Sequence, residues 1–270
     1  MTELGRAASR IDTSKPHPAR MYDYYLGGKD HYEVDQQAAE KVIEINPGIK
    51  ICAGTNRRFM HRATRYLAGA GIRQFLDVGT GIPTEPNLHQ VAQGVDPQAR
   101  VVYADNDPIV LTHAQALLRS SREGRTAYIH ADVREPEKIF SADELHETLD
   151  MSQPVALSLN ALLHFVPDEF QAYELVQRMV AELASGSYLV ISHVTSDFAP
   201  DVWARVVDVY HRGGIPAQTR SRAEVERFFT GLELVEPGVE VPHRWQPDAD
   251  TDGDVTDADV SLYAAVARKP

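Results

Sequence analysis

The residues best suited to chemistry are three aspartates at or near the ends of short apolar runs: Asp77, Asp105 and Asp132. Asp105 lies 24 residues beyond Gly81, near the spacing at which a strand-end carboxylate accepts hydrogen bonds from both hydroxyls of a ribose. Asp132 could accept a hydrogen bond from an adenine amino group, with the backbone amide of Val133 serving a ring nitrogen. The structural alternative for Asp105 is a helix cap, a role that Asp107 fits better, and the alternative for Asp132 is a turn residue. Together they favour a nucleoside ligand at one edge of a sheet.

A glycine turn follows the first of these aspartates. Gly79 and Gly81 permit a tight turn and let a ligand approach the backbone closely. A dinucleotide fingerprint would continue with a third glycine, whereas Pro83 stands here. We expect Thr84 to cap the next helix, which places the carboxylate of Glu85 in its first turn, where it would repel a phosphate. The turn therefore favours S-adenosylmethionine, an adenosine ligand with a positive charge, over a nicotinamide dinucleotide.

Two histidines follow predicted strands beside this turn. His164 comes just after Asn160, at the edge of the crevice where doubly wound sheets bind ligands. The ordinary pKa of a histidine is near neutrality, so His164 is the candidate general base, with a buried structural histidine as the alternative. His193 ends the following strand and is a second candidate near the substrate.

The N-terminal part of the chain contains a tyrosine-rich segment at 19–32 that is interrupted by Gly27 and Gly28. One interpretation is a short helix that packs its tyrosines on the core and ends at the glycines. The other, which the paired glycines favour, is a lid whose aromatic and polar groups close over a pocket. The role of the segment stays open at this point.

A helix predicted over 55–70 bears a basic stripe made of Arg57, Arg58, Arg62 and Arg65. A solvated helix face is the ordinary explanation for such a stripe. The alternative is that Arg57 or its neighbour Asn56 reaches the carboxylate of the cofactor's amino-acid end.

Composition limits the classes of partner. The 270 residues carry a formal net charge of -12, which argues against broad binding to nucleic acid or to an anionic membrane. Cys52 is the only cysteine, so no intrachain disulfide and no thiolate metal cluster can form. The stretch 154–166 is too short and too polar for a membrane span, and a cytoplasmic protein is expected. The oligomeric state, including a homo-oligomer, is left open.

An acidic loop at 248–259 matches an EF-hand at most of the ligand positions. An EF-hand needs flanking helices, whereas prolines precede this loop and a β-rich segment follows it. We therefore expect a solvated acidic loop and no metal site, with calcium as the less favoured alternative.

The elements that must position these residues alternate along the chain. A parallel, doubly wound sheet is predicted because helices separate the first five strands. The last two strands can close the sheet as a hairpin. The predicted strands are 74–78, 100–104, 127–130, 155–159, 188–192, 232–235 (with a continuation through 239–245) and 261–267.

These features resemble those of class I S-adenosylmethionine-dependent methyltransferases over about residues 73–268. The resemblance rests on the turn at 77–81, the two strand-end aspartates and the segment at 160–168. A more specific resemblance, to a bacterial S-adenosyl methyltransferase family of unestablished substrate, rests on 19–32, 56–59, 74–84 and 263–270.

The resemblance implies an α/β fold: a Rossmann-like, seven-stranded, mostly parallel sheet with helices on both faces and an antiparallel last strand. It also implies an N-terminal helical cap over 20–72, after a largely disordered segment 1–19 and before a methyltransferase domain over 73–270. S-adenosylmethionine is the implied cofactor. By position, the methionine moiety would lie at Asp77, Gly79 and Gly81, the ribose at Asp105, and the adenine at Asp132 and Val133. The expected contacts with the cofactor also include Thr80, Asn106 and Asn160.

The expected function is methyl transfer to an oxygen or nitrogen of a small molecule. No Asn-Pro-Pro-Tyr-like segment follows the fourth strand, where 160–163 reads Asn-Ala-Leu-Leu, and this argues against methylation of nucleic-acid bases. The lack of a cysteine there excludes cytosine C5 chemistry, which needs a covalent nucleophile. A noncatalytic S-adenosylmethionine-binding protein and, less favoured, a nicotinamide-dependent oxidoreductase are the alternatives.

Overall fold

The computed structural model describes residues 12–110, 120–248 and 254–270. Part of the helix predicted after the second strand, part of the acidic loop at 248–259 and residues 1–11 of the predicted disordered segment lie outside the described residues. Among the described residues, no group of histidine, cysteine, aspartate and glutamate side chains is arranged to hold a metal ion.

A seven-stranded sheet forms the centre of the protein, with strand order β3-β2-β1-β4-β5-β7-β6. The first five strands are parallel, and β7 runs antiparallel to both β5 and β6. This confirms the predicted sheet with its antiparallel last strand. The strands are β1 (Gln74–Val78), β2 (Arg100–Asp105), β3 (Arg125–His130), β4 (Ala156–Asn160), β5 (Tyr188–Val194), β6 (Glu233–Leu234) and β7 (Leu262–Arg268).

Both faces of the sheet are covered, because successive side chains of a strand point to opposite faces. Phe75 belongs to an apolar cluster with the third helix and Trp245, whereas its neighbour Leu76 packs on the other face. The helices are α1 (Pro18–Tyr25), α2 (Glu33–Ile45), α3 (Ile49–Gly69), α4 (Leu88–Val95), α5 (Pro136–Phe140), α6 (Asp143–Thr148), α7 (Ala172–Ala181), α8 (Pro200–Arg212), α9 (Arg222–Glu226) and α10 (Asp257–Val260).

The helix after the glycine turn begins later than the sequence predicts. It starts at Leu88 with Asn87 at its N-cap position, and the backbone amide of Asn87 donates a 2.6 Å hydrogen bond to Gln90. Thr84 is not a cap; its hydroxyl donates to the carbonyl of Ile82. Pro83 and Pro86 interrupt this segment because proline has no amide hydrogen and a fixed φ. Glu85 therefore precedes the helix, and the expectation that it occupies the first turn is wrong.

Two other expectations are corrected. The segment 239–245 does not extend a strand: it contains a single bridge from Glu240 to Ala264 and a 3₁₀ turn at Pro242–Arg244. The basic stripe on α3 is only partly solvated: Arg65 is exposed, whereas Arg62 is 5% exposed and donates to the carbonyl oxygens of Trp245 and Pro242.

The segment 20–72, predicted as an N-terminal cap, contains most of α1 and all of α2 and α3. Gly27 adopts a φ of +78° just after α1, and the amide of Gly28 donates to the carbonyl of Asp23. A Cβ atom at Gly28 would lie 1.9 Å from the carboxylate of Asp23, which binds His31. The paired glycines therefore end α1 and make room for this carboxylate.

No helix in the described ranges is both long and apolar enough to cross a membrane.

Candidate active site

The glycine turn after β1 requires glycine for two reasons. Gly79 and Gly81 have φ values of +72° and +67°, in the left-handed region that other residues rarely adopt. A Cβ atom on Gly79 would lie 2.5 Å from Leu162, which follows β4. The amide of Gly81 donates a 2.8 Å hydrogen bond to the carboxylate of Asp105, so the turn is fixed to the end of the neighbouring strand β2.

Asp77 is buried at the C-terminal part of β1. It lies opposite Ser158 of β4 in the sheet, and hydrogen bonds from Ser158 and Thr80 reach its carboxylate. Burial nevertheless raises the pKa of Asp77 to about 6, because these hydrogen bonds only partly compensate for the loss of water. A cationic ligand at this point would stabilise the ionised carboxylate.

The acidic ends of β2 and β3 lie side by side. Burial raises the pKa of Asp105, whose carboxylate also accepts a 2.9 Å hydrogen bond from the amide of Asp107. Asn106 donates a 3.1 Å hydrogen bond to Asp132. Burial opposes the ionisation of Asp132, but hydrogen bonds from Arg134 outweigh it and lower the pKa of Asp132. Asn106, which follows Asp105 in the sequence, thus connects the end of β2 to the predicted ligand carboxylate after β3.

The corner after β4 presents polar atoms without protein partners. The side-chain amide of Asn160 donates to Ser158 at 2.7 Å, while its Oδ1 atom is buried and accepts no hydrogen bond from the described residues. Ala161 has a φ of +50°, and its amide is held by the Ser192 hydroxyl at 2.9 Å. Such an orphaned carbonyl oxygen next to a fixed corner is suited to a ligand donor.

His164 is buried next to this corner. Its Nδ1 atom has no hydrogen-bond partner among the described residues, and its ring lies 4.3 Å from that of Phe165 between centroids. Burial, with a smaller contribution from the charge of Arg220, lowers the pKa of His164 to about 3. The imidazole is therefore neutral at ordinary pH. It can accept a proton only from a ligand group that it contacts directly.

His193, the second histidine, has a structural role. It is fully buried, its Nδ1 atom donates to the carbonyl of Val194 at 2.7 Å, and its Nε2 atom accepts from Arg220 at 2.7 Å. Arg220 also donates to Asp168 and to the carbonyl oxygens of Leu163 and Val166. With both ring nitrogens engaged, His193 does not serve as a base near the substrate.

Two residues of α3 connect the N-terminal helices to the region of the strand ends. Asn56 donates to the Tyr22 hydroxyl at 2.9 Å and accepts from Ser192 at 2.5 Å, which links α1, α3 and β5. Arg57 donates to the carbonyl oxygens of Thr84 and Pro86 on the loop before α4. Asn56 and Arg57 both line the cavity described next. Arg57 supplies a positive charge there.

A cavity of about 450 Å³ lies between the strand ends, the cap and α8. This volume is in the range of small-molecule sites. All the predicted cofactor residues and the predicted base line it: Asp77, Gly79, Thr80, Gly81, Asp105, Asn106, Asp132, Val133, Asn160 and His164. The structure therefore brings together residues from the ends of four strands, β1 to β4, or from the loops that follow them.

The sequence did not point to the wall of this cavity formed by α8. Trp203, Val206 and Tyr210 form one buried face of α8 and line the cavity. Their helical spacing indicates a buried face but not what that face covers. Tyr210 contacts Tyr25 of α1 through their hydroxyls at 3.2 Å, across 185 residues of sequence.

The strand order, the glycine turn and the acidic strand ends around one cavity define a Rossmann-like protein of the class I methyltransferase type. The chain belongs to the S-adenosyl methyltransferase family, whose model matches residues 5–270. It is therefore an S-adenosylmethionine-dependent methyltransferase, with S-adenosylmethionine as its cofactor.

Solved structures agree with this assignment. A DUF574 family protein from Streptomyces avermitilis MA-4680 is 52% identical, with a TM-score of 0.95 over 97% of this chain and 100% of that one. A candidate methyltransferase from Thermobifida fusca YX is 40% identical, with a TM-score of 0.88 over 96% of both chains. The fold alone is shared with magnesium protoporphyrin IX methyltransferase from Synechocystis PCC 6803 with bound S-adenosylmethionine, at 11% identity and a TM-score of 0.54 over 100% of this chain and 98% of that one. Comparison with curated proteins gives no match.

Proposed function

We propose that this methyltransferase acts on an oxygen or nitrogen of a small molecule that enters the cavity between the cap and α8. The observation that carries this proposal is the extent of the cavity beyond the acidic strand ends, to His164, Trp203 and Tyr210. An enzyme needs room for an acceptor beside the cofactor, whereas a noncatalytic binding protein needs room for the cofactor alone.

The residues present fit the cofactor. The amino-acid end of S-adenosylmethionine would lie near Asp77 and the glycine turn, where a carboxylate with a raised pKa can pair with the ammonium group. Asp105 would accept hydrogen bonds from the ribose, and Asp132 with Val133 would hold the adenine. The orphaned Oδ1 atom of Asn160 offers one further acceptor beside the turn.

In methyl transfer, the acceptor forms a bond to the methyl carbon as the carbon–sulfur bond breaks, and the acceptor loses one proton. The cofactor supplies an electrophilic methyl group, so the protein chiefly aligns the acceptor and excludes water. The cap contributes to both tasks because α1 covers the strand ends. His164 is the proposed base, since its unprotonated imidazole lines the cavity beside Asn160.

A nucleic acid is disfavoured as the acceptor. The net charge of -12 gives little attraction for phosphates. A nicotinamide-dependent oxidoreductase is disfavoured by the family, although the position of Glu85 no longer argues against it.

The test is calorimetric titration with S-adenosylmethionine, S-adenosylhomocysteine and NADH, followed by measurement of S-adenosylhomocysteine formed from a panel of small alcohols, phenols and amines. We expect the first two ligands to bind, NADH not to bind, and product to form with a subset of the panel. Binding without product for any hydroxyl or amino compound would favour the noncatalytic alternative. Product from a nucleic acid, and from none of the small molecules, would contradict the proposed acceptor class.

A further inference from the structure

The cavity divides into a charged part and an uncharged part. Every aspartate, lysine and arginine that lines it belongs to residues 12–20, to Arg57, or to the end of β1, β2 or β3 and the loops that follow these strands. The remainder, which we call the aromatic compartment, is bounded by Tyr25, Phe165, Trp203, Val206 and Tyr210.

The rings of the aromatic compartment lie close together. The centroids of Phe165 and Tyr210 are 5.5 Å apart, and the ring of His164 lies 4.3 Å from that of Phe165. These rings pack against one another and line the cavity as one aromatic surface. A flat aromatic ligand suits such a surface, because stacked and edge-on ring pairs gain energy beyond their buried area. Cys52 also lines the cavity, and burial raises the pKa of its thiol to about 12, so this group is uncharged as well.

The hydroxyl groups of Tyr25 and Tyr210 are one polar feature of this compartment, and the buried indole Nε1 of Trp203, which has no partner among the described residues, is another. The two hydroxyl oxygens are 3.2 Å apart, and either can donate to the other. Burial raises the pKa of Tyr210 to about 12 and that of Tyr25 well above its usual value, so both hydroxyls keep their hydrogens at neutral pH. One hydrogen is used within the pair, which leaves the other for an oxygen on a ligand.

We propose that the aromatic compartment binds an uncharged aromatic methyl acceptor with a hydroxyl or carbonyl oxygen, and that the Tyr25–Tyr210 hydroxyl pair binds this oxygen. The inference rests on the proposed function, because the compartment takes an acceptor only if methyl transfer occurs in this cavity. A carboxylate or phosphate on the acceptor would find no cationic partner among the residues that bound the aromatic compartment, and proteins avoid burying an unpaired charge. An aliphatic acceptor would not use the ring walls.

The experiment uses the full chain saturated with S-adenosylhomocysteine and four probes. They are 2-naphthol, 6-hydroxy-2-naphthoate with an added carboxylate, naphthalene without the oxygen, and octan-1-ol without the rings. Calorimetry gives the dissociation constants, and naphthalene is measured by displacement of 2-naphthol. We expect 2-naphthol to bind at least about tenfold more tightly than each of the other probes.

Matched variants test the hydroxyl pair. Tyr25→Phe and Tyr210→Phe keep the rings, and we expect each to reduce the affinity for 2-naphthol to about that for naphthalene. Tyr188→Phe, at the start of β5 and far from the cavity, is the control that should bind like the unmodified protein. Thermal unfolding of each variant checks folding, and the four-probe comparison on the unmodified protein stands without the variants.

The inference is overturned if 2-naphthol does not bind, if the carboxylate or octan-1-ol binds as tightly, or if both tyrosine variants retain the preference for the oxygen. Formation of S-adenosylhomocysteine from S-adenosylmethionine is measured separately with neutral and charged acceptors. Product formed only with charged or aliphatic acceptors would support the proposed function but contradict the inference of an uncharged aromatic acceptor. Selective binding of 2-naphthol without product from any acceptor would count against the proposed function alone.

Discussion

Arg20 of the helix α1 lies against Asp107, which follows β2. The Nε atom of Arg20 is 3.3 Å from the Oδ2 atom of Asp107, and both side chains are buried. The geometry is not that of a hydrogen bond, so the attraction is coulombic. The same guanidinium is 3.6 Å from the buried carboxylate of Asp35 on α2, and His17 lies 3.1 Å from Asp107. One cation therefore joins two helices of the cap to the edge of the cofactor site.

Replacement of Arg20 by leucine should destabilise the protein by about 3–5 kcal/mol, because it removes the guanidinium that lies beside the buried carboxylates of Asp35 and Asp107. It should also speed the dissociation of S-adenosylmethionine, since the cap covers the strand ends. Urea unfolding and stopped-flow displacement measure the two effects. Arg178→Leu, which removes an exposed ion pair with Glu137, is the control and should cost less than about 1 kcal/mol. Equal effects of the two substitutions would show that Arg20 does not hold the cap in place.

Much of the fold follows from local patterns. The strands were predictable because buried apolar runs such as 74–78 are bounded by turn residues, and the C-terminal ends of parallel strands necessarily share one edge of the sheet. For that reason Asp77, Asp105 and Asp132 could be placed together before the structure was known. The start of α4 is later than the sequence predicts, because a proline such as Pro86 fits an extended segment as well as a first helical turn.

The other half of the cavity could not be predicted, because it depends on contacts between distant parts of the chain. Tyr25 and Tyr210 are 185 residues apart, and nothing in either local sequence indicates their contact. The role of His193 depends on Arg220, a residue in a loop without periodicity, whose charge is satisfied only in the folded protein. Local sequence predicts which residue types stand at strand ends. Tertiary packing determines that His164, and not His193, keeps a ring nitrogen without a hydrogen-bond partner among the described residues.

The raised pKa of Asp77 predicts a pH dependence of cofactor binding. Its folded pKa of about 6 exceeds the ordinary value of 3.8, so below about pH 6 the empty site contains a neutral carboxyl group. A cationic ligand favours the ionised form, so the affinity for S-adenosylmethionine should fall as the pH is lowered from 7 to 5. Calorimetry at several pH values measures this change.

Asp77→Asn supplies the comparison for this pH dependence. The variant should bind more weakly at pH 7, and its affinity should vary little between pH 5 and 7. A variant that keeps the full pH dependence would assign the titration to another group. Without ligand, Asp77 contributes stability that is present at low pH and lost as the pH rises through about 6, so the empty variant should be more stable than the unmodified protein at pH 8.

Asp105 is the predicted ribose ligand, and Asp105→Asn should lower the affinity for S-adenosylhomocysteine at least about tenfold, since an amide replaces one of two acceptor oxygens. The residue also holds the amide of Gly81, so a loss of affinity alone would not distinguish binding from structure. The 2′-deoxy analogue of the ligand makes the distinction. The unmodified protein should prefer the ribose form, and the variant should lose this preference.

Asp96→Asn is the matched control, because Asp96 ends α4 near the start of β2 and pairs with Arg73. It should leave both affinities unchanged. If Asp105→Asn kept a full preference for the 2′-hydroxyl, the ribose would have to be bound by another residue.

His164 is the predicted base, and its replacement by alanine should reduce turnover about 100-fold while the dissociation constant of S-adenosylmethionine changes less than about twofold. Because the pKa of His164 in the empty site is about 3, kcat/KM should show no inflection from this group between pH 5 and 8. An inflection near pH 6.5 that disappears in the variant would contradict the lowered pKa. The exposed His146 gives the control His146→Ala, which should retain full turnover. An equal loss of turnover and cofactor binding in His164→Ala would instead make the residue structural, since its ring packs on Phe165 and on His193 behind the cavity.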